Sequence, residues 1–455
     1  MKRFGLLFLL YCLTLRGLIA QPEGASATLA YTKALKQLTD VMVTDVTGPC
    51  GAARYYAYAN LAAYELMYRQ QKPAGYVPLA GLLRDYSLPA PKSTDPKIDV
   101  EFGTQYILLR MGEELLPSGY ILEEHRNQLI SDSRDKRHLS PALLDQTRAY
   151  ADSLVKTLVR YAAKDGYVKT SGYVRYTPSD KPGSWQPTPP AYSEAYEPYW
   201  AVVRPFLLDS AAQFQPARPV AYSEEKDSDF YRLANEVYDT SRTLTADQRH
   251  IANFWDCNPF FLNQKGHVSF GTKKISPSGH WMGITSLVSV QQNLSLAETV
   301  RWHALVGLAM ADAFISCWNE KYNSDRIRPE TYINQHIDRT WRPMLQTPPF
   351  PEYTSGHSVM SQAVATVLTA LAGEPIGYTD TIEVEFGVPA RTYRSFTHAA
   401  REAAISRLYG GIHFRDSIDQ GVWQGEQVGQ FVLKKLGLSA KTTPAGKKSK
   451  RLGER

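Results

Sequence analysis

The chain has 455 residues, 43% hydrophobic and 21% charged, so it can bury a large core as two domains or one large helical unit. Its formal charge of +6 sits at the ends. Lys2, Arg3 and Arg16 lie near the start, and six basic residues against Glu454 lie between Lys441 and Arg455, which leaves the body slightly acidic. That pattern gives no support to nucleic-acid binding. Removing residues 1–20 leaves only Cys50, Cys257 and Cys317, which excludes a disulfide scaffold.

Residues 1–20 read as a secretory signal: Lys2-Arg3, then an apolar Leu6–Leu13, with Ala20 as the cleavage residue. No later segment reads as a membrane span, so the mature chain is expected to be exported, to the periplasm or beyond.

Residues 28–47 and 51–70 show helical apolar spacing on either side of Gly48-Pro49. The charged stretch 123–138 reads as exposed. Ser140-Pro141 starts a helix over 141–164. Tyr173–Pro205, rich in Pro, Tyr and Trp, reads as a long packed loop, and 215–226 as a second irregular segment. The second half resumes helix near Asp227, with helices over Ser295–Tyr322, Ser358–Ala372, 397–408 and 417–435. There is no sustained strand alternation. The expected fold is all-α, in helical bundles. Its divisions are an N-terminal helical half (21–215), a C-terminal catalytic bundle (227–437) and a basic, disordered tail (438–455).

Three motifs follow in order in the last third. Lys321 is followed after six residues by Arg328-Pro329. Then come Thr354-Ser355-Gly356-His357, and finally Ser406-Arg407, five residues and His413. Each falls at a helix end. Lys and Arg suit a tetrahedral oxyanion such as phosphate or vanadate, and a helix start with glycine offers backbone N–H groups. Two histidines can then bind or attack the central atom and move protons. Each motif has a plain reading as well: solvated basic residues, an ordinary N-cap, an ordinary helix end. Their conjunction favours an anion site.

At these residues the chain resembles the superfamily uniting type 2 phosphatidic acid phosphatases with vanadium-dependent haloperoxidases, closest to exported bacterial iodo- or bromoperoxidases. The resemblance spans about Trp318–Asp419. It implies that Lys321, Arg328, Ser355, Gly356 and Arg407 hold the oxyanion. It also implies that His413 is the vanadium ligand, or the nucleophile in a phosphatase, and that His357 is the acid–base group. Lys321 would polarise bound peroxide. The partners implied are vanadate, hydrogen peroxide, a halide and small organic acceptors, and homo-oligomerisation is left open.

Two departures stand out. Thr354 replaces the usual Pro. Ser417 stands where an acid is expected four residues after the last histidine, so Asp416 or Asp419 is expected to orient His413. Trp318 and Phe350, at positions aromatic in such peroxidases, favour vanadate-dependent halide oxidation over the alternative, an acid phosphatase. A non-catalytic phosphate-binding protein is a third reading, disfavoured because both histidines are kept. A second Pro277-Ser278-Gly279-His280 is out of order and reads as a loop, with His280 near the pocket entrance at most. His303 reads as a packed helical histidine, and no Cys/His spacing suggests zinc.

Overall fold

The computed structural model describes residues 23–438 apart from Ser93, Phe260, Gly266 and Thr272. The expected signal and most of the expected basic tail lie outside the described residues.

The described chain is mostly helical. The N-terminal half holds α1 (Glu23–Thr44), α2 (Pro49–Gln71), α3 (Val100–Leu115), α4 (Leu122–Asp135), α5 (Pro141–Ala162) and the single turn α6 (Tyr167–Thr170). Gly48 and Pro49 separate α1 from α2, with proline at the first helical turn, where no N–H is needed. Ser140 caps α5 by accepting from Leu143 N at 3.3 Å. The charged segment is itself a helix, α4, largely exposed on one face. α3, which spacing alone did not reveal, is buried on most sides and so lacks an amphipathic period.

After the packed segment 173–205 come α7 (Asp229–Thr243), α8 (Ala246–Phe254) and a small antiparallel ribbon, β1 (Leu262–Lys265) with β2 (Val268–Gly271). Next are α9 (Pro277–Gln291), α10 (Leu296–Ser324), α11 (Pro329–His336) and α12 (Gly356–Ala372). A second ribbon, β3 (Tyr378–Asp380) with β4 (Arg391–Tyr393), precedes α13 (Phe396–Tyr409) and α14 (Arg415–Lys435). The all-α expectation therefore holds, with two short ribbons added that are too brief to show alternation in sequence.

α10 is the central strut, started by a reciprocal Ser295–Glu298 capping box. It packs against α2 of the first half and α12 of the second, and one hydrophobic core runs from Tyr31 to Leu436. Contrary to the sequence reading, α10 is long and apolar enough to cross a bilayer, but 94% of that stretch is buried inside the fold. Its hydrophobicity is that of a helix surrounded on all sides. The long packed segment is stitched to it. Phe206, Leu207 and Leu208 donate backbone N–H bonds of 2.6–2.9 Å to buried Asp312.

α12 and α14 pack at close range. A Cβ at Gly425 would lie 2.1 Å from Val359 O, so only glycine lets α14 approach this near. That approach sets the start of α12 against the loop that enters α14.

Candidate active site

The three motifs converge. Lys321 lies in the last turn of α10, Arg328 just before Pro329 opens α11, and Ser355 caps α12. Arg407 ends α13, and the Gly410-Gly411 turn brings His413 back to face it. Lys321, Arg328 and Ser355 are fully buried, and Arg326 and Arg407 nearly so. The solvated basic patch is thus excluded.

Lys321 Nζ donates to the carbonyls of Pro351 (3.1 Å), Glu352 (3.2 Å) and Thr354 (2.6 Å). Arg328 donates to Phe350 O (2.8 Å) and Ile412 O (2.9 Å), and its Nη1 lies 3.1 Å from His413 Nε2. Arg407 donates through Nε to Ser406 Oγ at 2.9 Å and through Nη2 to Trp255 O. Carbonyls hold these cations in place without neutralising them. Burial pushes the Lys321 ammonium down to about 8 and the Arg328 and Arg407 guanidinium groups down to about 10. Each is a charge kept out of water, which an arriving anion would offset.

Ser355 Oγ accepts from Ser358 N at 3.4 Å, so the serine caps α12 in the ordinary way. Thr354 is tied by its hydroxyl to Gln424 Oε1 at 2.7 Å, and Gln424 reaches Ser316 on α10. The substitution of Pro by Thr adds a link between α10, α12 and α14.

His413 Nδ1 lies 2.8 Å from Glu352 Oε1. The carboxylate that orients this histidine is therefore Glu352, three residues before Ser355, and not Asp416 or Asp419. Asp416 enters α14 turned away from His413. It accepts from Arg326 Nη1 (2.8 Å) and Val220 N (3.1 Å), and the same Arg326 nitrogen reaches Glu352 Oε2 at 3.2 Å. Ser417 takes the expected acid's place, with Oγ 3.3 Å from His413 Nδ1. Burial and then the neighbouring Arg328 and Lys321 charges push His413 well below its usual range, so it is neutral at neutral pH. With Nδ1–H given to Glu352, the Nε2 lone pair accepts from Arg328 Nη1 (3.1 Å), a contact that a ligand on Nε2 would displace. Burial, then Arg407 and His413, depress His357 in the same way.

These groups border a cavity of ≈ 520 Å³ including its mouth. Gly356, His357, Arg407 and His413 line it together with Trp318, Phe350 and Phe314. Lys321, Arg328 and Ser355 sit behind that lining. Trp318 and Phe350 pack with ring centroids 5.0 Å apart, and Lys321 Nζ lies 4.9 Å from the Phe350 centroid. Arg328 Nη2 and His357 Nε2 are buried with no hydrogen-bond partner among the described residues. Sequence reasoning missed the opposite wall, Asp256-Cys257-Asn258, which follows α8 and carries no motif.

A family model for the VCPO second helical-bundle domain matches residues 301–440. A bacterial vanadium-dependent iodoperoxidase is 42% identical, with a TM-score of 0.84 over 91% of this chain and 98% of that one. The chain belongs to the vanadium-dependent haloperoxidase family. The holo form of a bacterial vanadium-dependent chloroperoxidase shares this haloperoxidase fold at 18% identity and a TM-score of 0.67, covering 92% of this chain and 96% of that one. No curated protein matches the chain.

The second Pro-Ser-Gly-His departs from expectation. It opens the buried helix α9, with Pro277 in the first turn and Ser276 Oγ accepting from Gly279 N. His280 is fully buried beside Cys257, away from any entrance. His303 is the packed helical histidine expected, held by Thr299 O and Ser286 Oγ. Among the described residues, Cys50, Cys257 and Cys317 are buried and free of disulfides.

Proposed function

We propose that this haloperoxidase is a vanadate-dependent enzyme that oxidises a halide, iodide first, with hydrogen peroxide to the hypohalous acid. The observation that carries the proposal is a buried cationic cavity with unpartnered Arg328 Nη2 and His357 Nε2 beside a neutral, carboxylate-oriented His413. Arg328 Nη2 is a donor for an oxyanion, His357 Nε2 a base beside it and His413 an imidazole ligand.

Arg328, Arg407 and the α12 N-terminus at Ser355-Gly356 would hold the vanadate oxygens, Lys321 would join them by giving up one of its three carbonyl bonds, and His413 Nε2 would bind the metal. The bound group would supply Lewis-acid polarisation of peroxide without changing oxidation state. His357, neutral and buried, is placed to accept the proton that peroxide loses. Lys321 would add positive charge at the bound oxygens. Trp318 and Phe350 exclude water and present a polarisable wall to a large halide. Iodide is the favoured substrate because the relative at 42% identity is an iodoperoxidase. Export is part of the proposal, supported by Lys2-Arg3 and the apolar run to Leu13.

The test is oxidation of iodide and bromide by the purified protein with hydrogen peroxide, with and without vanadate, beside a phosphomonoesterase assay. Vanadate-dependent iodide oxidation is expected. Phosphatase activity inhibited by vanadate, without halide oxidation, would overturn the proposal.

A further inference from the structure

A second cluster of reactive side chains adjoins the Asp256–Asn258 wall and shares Cys257 with it. Cys257 comes from the turn after α8, His280 from the first turn of α9, and Glu383 from the 3-10 turn Ile382–Phe386 that follows β3. All three are buried. His280 Nδ1 is 3.2 Å from both Cys257 Sγ and Glu383 Oε1, and Sγ is 3.4 Å from the same carboxylate oxygen. The other imidazole nitrogen, Nε2, lies 2.8 Å from Asp380 Oδ2.

We infer that Cys257, His280 and Glu383 form a structural site for a divalent metal of the zinc class, with Asp380 as the outer carboxylate that orients His280.

Three observations carry this. The donors are one thiol, one imidazole and one carboxylate, the set that suits zinc among divalent ions. Their spacing fits as well. A tetrahedral site with metal–sulfur near 2.3 Å and metal–nitrogen or –oxygen near 2.0 Å has edges of about 3.3–3.6 Å, and the three donors already stand at 3.2–3.4 Å. A carboxylate on the far nitrogen of a ligating histidine is the usual outer partner, since it fixes the tautomer and turns the free nitrogen towards the metal. Cys257 also holds φ at +39°, a left-handed conformation that costs a non-glycine residue energy and here accompanies a sulfur directed into the cluster.

Coordination is linked to proton release. Although burial works against it, Asp380 and Cys257 hold the His280 imidazole well above its usual range, and burial pushes the Cys257 thiol up to about 12. A divalent ion takes Sγ as the thiolate and Nδ1 through its lone pair, so any proton on those atoms leaves as the ion arrives. A water or the second Glu383 oxygen completes four-coordination. The ion would pin the Trp255–Cys257 turn to α9 and to the segment after β3. That turn presents the Trp255 carbonyl to Arg407, and its indole stacks on His280 at 4.6 Å.

The experiment uses the full mature protein, freed of metal with a chelator, without vanadate, titrated with cobalt(II) and then zinc. A thiolate-to-cobalt charge-transfer band saturating at about one equivalent, formed with proton release and lost without further release when zinc displaces the cobalt, is expected. His413→Ala keeps the band, Cys257→Ser abolishes it, and Asp380→Asn weakens affinity about 10–100-fold. Folded wild-type protein that gives no band and retains no zinc would overturn the inference, whatever the variants do. A band that survives in Cys257→Ser would do the same, because the sulfur would then come from Cys50 or Cys317.

Discussion

Glu352 is the group on which the histidine geometry turns, and Glu352→Gln tests it with almost no change of shape. The carboxylate is fully buried and accepts from His413 Nδ1 (2.8 Å), Phe414 N (3.0 Å) and Arg326 Nη1 (3.2 Å). An amide oxygen in the Oε1 position can still accept from His413 and Phe414. The amide nitrogen, however, would face Arg326 N–H to N–H, leaving Arg326 dependent on Asp416 alone. The His413 bond would also become neutral-to-neutral, roughly half as strong, and Nε2 would become a poorer ligand.

Loss of such an outer carboxylate costs about 10–100-fold in metal affinity or activity, which is ~1.4–2.7 kcal/mol. The lost charge-assisted bond at Arg326 adds a stability cost of ~1.5–3 kcal/mol. The assay is vanadate titration of the metal-free protein, followed by iodide oxidation at saturating vanadate, with thermal unfolding as the check on folding. Asp416→Asn is the comparison: it reaches His413 indirectly, through Arg326 and Glu352 or through Ser417, so its loss of affinity should stay below about tenfold. A folded Glu352→Gln that binds vanadate and turns over like wild type would refute the assignment of Glu352 as the orienting group.

Other outcomes follow from the same geometry. His357→Ala should lower kcat by about 10²–10⁴ while keeping vanadate affinity within roughly tenfold, as for loss of a proton acceptor; steady-state kinetics beside a vanadate titration separates the two. Vanadate affinity should fall as pH rises through about 8, because Lys321 loses its charge there, and Lys321→Met should flatten that dependence in a pH series of titrations. Gly425→Ala should destabilise the protein by at least ~1–3 kcal/mol in denaturant unfolding, since its methyl would meet Val359 O. Gly356→Ala should leave stability within about 1 kcal/mol, because its methyl meets only Trp318 at 3.6 Å, Phe314 and Lys321, yet weaken vanadate binding by crowding the helix start.

What was legible in the sequence was whatever a short stretch encodes by itself. Ser140-Pro141, the Ser295–Glu298 box and Gly48-Pro49 announce helix ends because capping is local. The three anion motifs were legible for the same reason, each lying within one helix end. Glu352 was not, because it stands 61 residues before its histidine and only the close approach of α12 and α14 joins them. α3 and α9 escaped notice because burial on most sides removes the polar stripe that marks a helix, and in α9 Gly, Ser, Thr and Val also lower the intrinsic propensity. Cys257 and His280 carry no ligand spacing along the chain; the turn after α8 and the start of α9 bring them together.

The buried cations also bear on stability. Lys321, Arg328 and Arg407 are fixed mainly by backbone carbonyls, while Glu352 is shared between His413 and Arg326. Carbonyl dipoles orient a charge but return only part of its lost hydration. The metal-free protein therefore holds its active site at an electrostatic cost, which helix packing elsewhere must offset. An oxyanion that enters this cavity removes part of that cost in the folded state and finds no comparable site in the unfolded one. Vanadate at 100 times its dissociation constant should thus raise unfolding stability by ~2.7 kcal/mol. Phosphate, a tetrahedral anion that competes for the same cations, should do so too at its own, weaker constant. Arg328→Ala should remove both effects together, because the guanidinium with its unpartnered Nη2 serves any oxyanion. His413→Ala should reduce the vanadate effect far more than the phosphate effect, because a nitrogen ligand strengthens binding to a metal centre and adds little to phosphate. Equal losses for the two anions in His413→Ala would show that the imidazole acts as one more hydrogen-bonding group in an anion cradle, not as a ligand to vanadium.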